Sequence, residues 1–169
     1  MKKILYLPII IYNKVTMKNY IKNLNGLNIK YILLSLISAI ISASGVAIFG
    51  VNNFDINNLY LSFALMLGVI YFLFRGRKLY NKKVKNIKSL PFGEKLNAYQ
   101  KATKVKVFSF NMISIIACIG LIFSGNWMYL VFVVFAIMLI ALNWANVQKL
   151  KIELSLTDKE LKIIQGEKL

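Results

Sequence analysis

The basic residues of this chain are confined to three segments, and the stretches between them stay uncharged long enough to decide its surroundings. No Asp, Glu, Lys or Arg occurs from Tyr31 to Phe54, from Ile56 to Phe74 or from Val107 to Gln148. A helix rises about 1.5 Å per residue, so about 20 apolar residues cross a hydrocarbon layer about 30 Å thick. The core of a soluble domain rarely needs uncharged runs of that length. The chain is 58% hydrophobic with a mean hydropathy of +0.61, yet carries a formal charge of +16. Such extremes coexist in 169 residues only by segregation, which points to an integral membrane protein.

The third uncharged run is long enough for two crossings, and Ser124, Gly125 and Asn126 near its middle are turn formers that divide it. The expected fold is therefore all-α, an integral membrane four-helix bundle. Its spans are placed at 31–50, 59–74, 107–123 and 127–145, within a transmembrane domain over 29–148. Residues 1–28 form a basic N-terminal segment and 149–169 a C-terminal tail. Trp127 and Trp144 fall at opposite ends of the fourth span, where indoles favour the two interfaces.

Orientation follows from the basic residues, which resist translocation when they flank a span. Six precede the first span (Lys2, Lys3, Lys14, Lys18, Lys22, Lys30), eleven lie in the loop 75–106, and five follow Gln148. The loops at 51–58 and 124–126 contain no basic residue and only Asp55. One assignment satisfies every segment: both termini and the 75–106 loop on the cytoplasmic side. The basic excess is then mainly topology. Arg75, Arg77, Lys78, Lys82, Lys83, Lys85 and Lys88 form a basic loop weakly attracted to anionic lipid headgroups. RNA recognition favours arginine forks with stacking aromatics, whereas only two of the loop's eleven basic residues are arginine, so no nucleic-acid partner is expected.

After the second span, Tyr80, Val84 and Ile87 recur at helical spacing as far as Leu90-Pro91-Phe92-Gly93. A second helix beginning near Glu94 carries Leu96, Tyr99, Ala102 and Val105 on one face into the third span. Spans two and three are thus expected to extend as a cytoplasmic helical hairpin, its stripes packed on each other or, alternatively, open to a partner. The tail alternates apolar and polar residues at Leu150, Ile152, Leu154 and Leu156; without a partner strand this reads best as a helical continuation of span four. Thr157 and Glu160 have capping-box spacing and open a short last helix ended by Gly166. Residues 1–16 read as an interfacial segment or as an over-extended start ahead of Met17, since the apolar run 4–12 is too short to span.

Chemistry has little to build on. Histidine is absent, the only cysteine is Cys118, and no acid lies in a span, so metal sites, thiol–imidazole pairs and carboxylate dyads are excluded, and no catalytic residue, metal or cofactor is expected. The polar content of the spans reads first as helix packing: Ser35, Ser38, Ser42 and Gly45 on one side of span one, Ala64 with Gly68, and Ala141 with Ala145. A water-filled path lined by the serines is the alternative. Asn111 and Asn143 share a depth in an antiparallel hairpin and are expected to pair across it, at about 0.6 to 2 kcal/mol.

From Gly93 to Glu160 the chain resembles a family of small, uncharacterised four-span membrane proteins of Bacteroidota-type bacteria. The likeness rests on Glu94-Lys95-Leu96 with Tyr99 and Ala102, on Ser124-Gly125-Asn126 with Tyr129-Leu130, and on Asn143, Lys149, Leu154, Leu156 and Glu160. Where the family pattern has Glu-Gly this chain has Asn111-Met112, and where it has Arg-Pro this chain has Trp144-Ala145. The resemblance implies four spans in a cytoplasmic membrane and brings no established activity. The expected role is a non-enzymatic partner-binding or scaffold subunit, in contact with a membrane-protein partner or further copies of itself. An oligomeric channel or carrier and a membrane-bound immunity accessory are the alternatives.

Overall fold

A computed structural model describes residues 17–49 and 56–161 apart from 159. The reading of residues 1–16, the loop containing Asp55 and the Gly166 helix end fall outside the described residues. The architecture is all-α. Five helices follow one another: α1 (Met17–Phe49), α2 (Ile56–Ile87), α3 (Phe92–Ser124), α4 (Tyr129–Ala141) and α5 (Val147–Leu154). Two segments are long and apolar enough to cross a membrane, 19–48 in α1 and 92–124, the whole of α3, with mean hydropathies of 2.1 and 2.2 over their most apolar stretches.

The helix α3 is the axis of the molecule. It packs against α1, α2 and α4, and 61% of its apolar stretch is buried, against 17% for α1. The lower figure has a cause in sequence: Leu33, Leu34, Leu36, Ile37, Ile40 and Ile41 lie on the outward faces of α1 and are exposed. The outer surface of α2 is likewise a row of exposed apolar side chains, from Tyr60 and Phe63 to Ile70 and Phe74. A helix that is apolar all round while packed on one side alone is matched to hydrocarbon rather than to water.

Two glycines set how closely the helices approach α3. A Cβ on Gly76 of α2 would lie 2.6 Å from the Cβ of Ser109, and one on Gly120 would lie 2.4 Å from the Tyr129 ring. Such contacts let backbones come near enough for dispersion and interhelical bonds to hold them. Gly68 makes an ordinary contact with Ile116, whereas Gly45 faces open space and Ala64 and Ala141 are exposed. Those last three small residues, expected at helix contacts, take no close part in one. Ala145 is buried, at the basic end.

The contacts also fix the register. Gly76 is level with Ser109, Tyr31 with Phe108 (ring centroids 6.4 Å apart), and Ser35 with Asn111. Beyond this level the helices α1 to α4 carry one further charge before the Gly125 turn, Arg75 next to Gly76. At that uncharged end Gly125 adopts φ 61°, its N–H donating to the Leu121 carbonyl at 2.8 Å, and Asn126 Oδ1 accepts from the Met128 amide at 2.9 Å. The turn falls where Ser124-Gly125-Asn126 predicts it, because glycine enters the left-handed region without steric cost.

At the basic end the hairpin forms as its spacing predicts. The helix α2 runs to Ile87, Pro91 sits at φ −59° and ψ 150°, and α3 starts at Phe92. The stripes Tyr80, Val84, Ile87 and Tyr99, Ala102 do pack together, but they are joined by Tyr20 and Leu24 of α1 and by Leu150, Leu154, Leu156 and Leu161 of the tail. The hairpin is therefore sealed by other parts of the chain.

The tail corrects the expectation of a continuous fourth helix. The helix α4 ends at Ala141, and Trp144 lies beyond it rather than on it. The cause is Asn25, whose amide grips one residue in both directions: its Oδ1 accepts from the Ala145 N–H at 2.8 Å and its Nδ2 donates to the Ala145 carbonyl at 3.1 Å. Those two groups are lost to a helical ladder. Asn146 then caps a new helix, its Oδ1 accepting from the Lys149 N–H at 2.7 Å. The alternation at 150–156 is thus a helix and the turn after it, with Leu150 and Leu154 inward and Ile152 73% exposed. The capping box is present: the Thr157 N–H donates to Glu160 Oε2 at 2.7 Å and the Glu160 N–H to Thr157 Oγ1 at 3.3 Å.

Candidate functional site

Polar side chains converge where α2, α3 and α5 meet. Tyr80 of α2 donates to Glu153 Oε2 at 2.5 Å, Tyr99 of α3 donates to the same oxygen, and the two hydroxyls are 3.2 Å apart. Their rings meet edge to face, with centroids at 6.3 Å. Lys106, two turns on from Tyr99, sets its Nζ 4.2 Å above the Tyr80 ring. Tyr20 reaches in from α1 to donate to the Leu96 carbonyl at 2.6 Å. Four helices are tied by three phenols and one carboxylate.

Burial pushes the hydroxyls of Tyr20, Tyr80 and Tyr99 well above the usual phenol range. Glu153 adds to this for Tyr80 and Tyr99, since a carboxylate favours the protonated donor. The lysines respond in the opposite sense. Burial pulls the Lys106 ammonium below its ordinary range, assisted by Lys149 and Arg77 and opposed by Glu153. Lys149 is lowered by burial and again opposed by Glu153. One acid thus answers several partly desolvated cations.

A ladder of amides and hydroxyls continues from the knot between α1, α3 and the end of α4. Asn28 Nδ2 donates to the Asn143 carbonyl at 3.3 Å, and Lys149 Nζ donates to Asn143 Oδ1 at 3.4 Å. Among the described residues, Asn28 Oδ1 and Asn143 Nδ2 are buried without a partner. Asn111 and Asn143 both face the interior, at 1% and 4% exposure, but the expected pairing is replaced: Asn111 Oδ1 accepts from Ser35 Oγ at 3.0 Å. The cause is the break after α4, which turns Asn143 toward α1 and the tail. Of the serine stripe, Ser35 and Ser42 are buried, Ser42 donating to the Ser38 carbonyl at 2.8 Å. Two members of the stripe thus pack inward and spend their hydroxyls on bonds, while Ser38 is half-buried.

Arg75, Arg77, Lys78, Lys82, Lys83 and Lys85 are exposed on α2, and Lys88 is exposed just past its end. Lys95 is not; it is buried and pairs with Glu160 at 3.6 Å, latching the capping box onto α3. Burial pushes the Glu160 carboxyl up, but bonds from the Thr157 amide and hydroxyl and the charge of Lys95 outweigh it and hold the group below its usual range. Between α2 and α5 an open groove of about 310 Å³ is lined by Tyr80, Asn81, Val84, Lys85, Lys88, Ile152 and Glu153. Among the described residues no three His, Cys, Asp or Glu side chains gather as metal ligands would.

Sequence reasoning missed Glu153, and missed Tyr80 and Tyr99 as polar groups. The signal existed: Leu150, Glu153 and Leu154 share one helical face, and Glu153 is the only acid between Glu94 and Asp158. Comparison of the chain with family models, with curated proteins and with solved structures gives no match.

Proposed function

We propose that this chain is a non-enzymatic, multi-pass protein of a bacterial cytoplasmic membrane, with four crossings and both termini inside, that serves as a partner-binding or scaffold subunit. The observation that carries the reading is the common level reached by the last charges. Lys30, Arg75 and Lys106, the charges that border the uncharged runs of α1, α2 and α3, stand beside Tyr31, Gly76 and Val107, and contacts hold these helices in one register. A slab of uncharged helix with apolar side chains outward follows on every one of them. The apolar parts of α2 and α4 are shorter than a full crossing, and the turns at Trp127–Met128 and Leu142–Asn143 supply the rest for α4.

The surface offered to a partner is the projecting end of the molecule. There α2 presents Lys78, Lys82 and Lys85 outward, and the groove beside α5 adds Lys88 and the exposed Ile152. Its chemistry suits an acidic segment carrying an apolar side chain. A photo-crosslinking residue at Ile152, with the protein in its native membrane, should yield a discrete adduct; a monomer alone, after capture in mild detergent, speaks against partner binding. Reporter fusions at Gly125 and Lys82 test the topology. An inside location for Gly125 or an outside location for Lys82 overturns it.

A further inference from the structure

We propose that Arg77, Lys106 and Lys149 form a site for the phosphate of an anionic phospholipid at the cytoplasmic face of the bundle. The three cations come from three helices. Gly76 abuts Ser109 and approaches the Lys106 carbonyl, which brings Arg77 beside Lys106. Lys106 Nζ is fixed over the Tyr80 ring, and Lys149 Nζ is held 3.4 Å from Asn143 Oδ1. Charge is left over. Among the described residues Glu153 is the one acid facing both lysines, and two tyrosine hydroxyls already bond its Oε2.

Two further observations point to an anion. Lys149 stands in the first turn of α5, where the helix already presents its positive end and a cation is unfavourable unless a negative group answers it. Beside it stands Asn143, 4% exposed, whose amide nitrogen has no partner among the described residues. Burial first, and then the charges of Lys149 and Arg77, pull the Lys106 ammonium below its ordinary range, which fits positive charge gathered in a partly dry place. The site lies level with the first uncharged residues, Tyr31 and Phe108, which is the depth of lipid headgroups if the membrane reading holds, as this inference requires.

The test is titration of the full-length protein in dodecyl maltoside with phosphatidylglycerol and, separately, phosphatidylcholine, read by thermal shift and by native mass spectrometry. Saturable one-to-one binding of phosphatidylglycerol is expected. Removing two cations by Lys106→Gln with Lys149→Gln should weaken it roughly 30-fold, whereas Lys82→Gln with Lys83→Gln should cost less than about 3-fold. Arg77→Gln, an exposed change that spares the packing, should cost roughly 5-fold with helicity unchanged, and it decides the matter if the double variant does not fold. Equal losses from both pairs, no preference over phosphatidylcholine, or saturation of the same stabilisation by inorganic phosphate each overturn the site. None of these results bears on the crossings, which stand or fall with the reporter fusions.

Discussion

Glu153 offers the sharpest test of how the basic end is held together. Its Oε2 accepts from two buried phenols, one on α2 and one on α3. A hydrogen bond to a charged acceptor contributes about 1.5–3 kcal/mol, and one to a neutral acceptor about 0.5–1.5. Glu153→Gln keeps an oxygen in reach and loses the charge, so about 1 kcal/mol per bond, or about 2 in all, should be lost. Glu153→Leu removes the acceptor. Tyr80 can then still donate to Tyr99 across 3.2 Å, which leaves one phenol orphaned rather than two. The loss should be about 3–5 kcal/mol, and at about 2–4 °C per kcal/mol for a chain of this size the melting temperature should fall by about 10 °C. The assay is thermal unfolding in detergent, followed by tryptophan fluorescence, for Glu153→Leu, Tyr80→Phe and the combination. Because the two residues share one bond, the double variant should lose about 1 kcal/mol or more less than the sum of the singles. A Glu153→Leu protein that melts within about 1 °C of the parent would refute the reasoning, as would strict additivity.

Further expectations follow from the same geometry. Gly120→Ala should destabilise by about 1–3 kcal/mol by driving a methyl into the Tyr129 ring, while Gly45→Ala, which meets nothing, should be neutral or slightly stabilising; equal melting temperatures would contradict the packing. Tyr20, Tyr80 and Tyr99 have folded-state pKa values raised above the unfolded phenol value, so their contribution is complete below about pH 10 and is lost as the pH rises through the folded values. Tyrosinate absorbance should therefore show a subset of the nine tyrosines ionising late and together with unfolding, and Tyr80→Phe should shrink that subset. Ser35→Ala and Asn111→Leu should be coupled in a double-mutant cycle, whereas Asn111→Leu and Asn143→Leu should add; the reverse outcome would restore a direct asparagine pair.

The legible parts of this fold were those written in one helix at a time. The α2–α3 hairpin, its break at Pro91 and the Gly125 turn each depend on a few neighbouring residues, and spacing reveals them. The Thr157–Glu160 box is equally local. What stayed hidden depends on partners distant in sequence. Nothing near Ala145 announces that Asn25, in α1, will take its N–H and carbonyl out of the helical ladder and so end α4 early. The small-residue spacing at Ala64 and Gly68 resembled a contact motif, yet the closest approaches are at Gly76 and Gly120, because which face of a uniformly apolar helix turns inward is decided by the neighbour it meets. Glu153 was obscured by an alternation that matched a strand.

The order of synthesis gives the tail a further significance. The hairpin leaves the ribosome well before α5, so for an interval Tyr80, Tyr99 and Lys106 stand uncovered at the mouth of the bundle. The side chains that complete them, Glu153 and the leucines of 150–156, are among the last described residues to be made. A nascent chain halted before Val147 would display a wet aromatic surface with surplus positive charge, the kind of signal that proteolytic surveillance recognises. Synthesis of α5 and concealment of that signal are then one event.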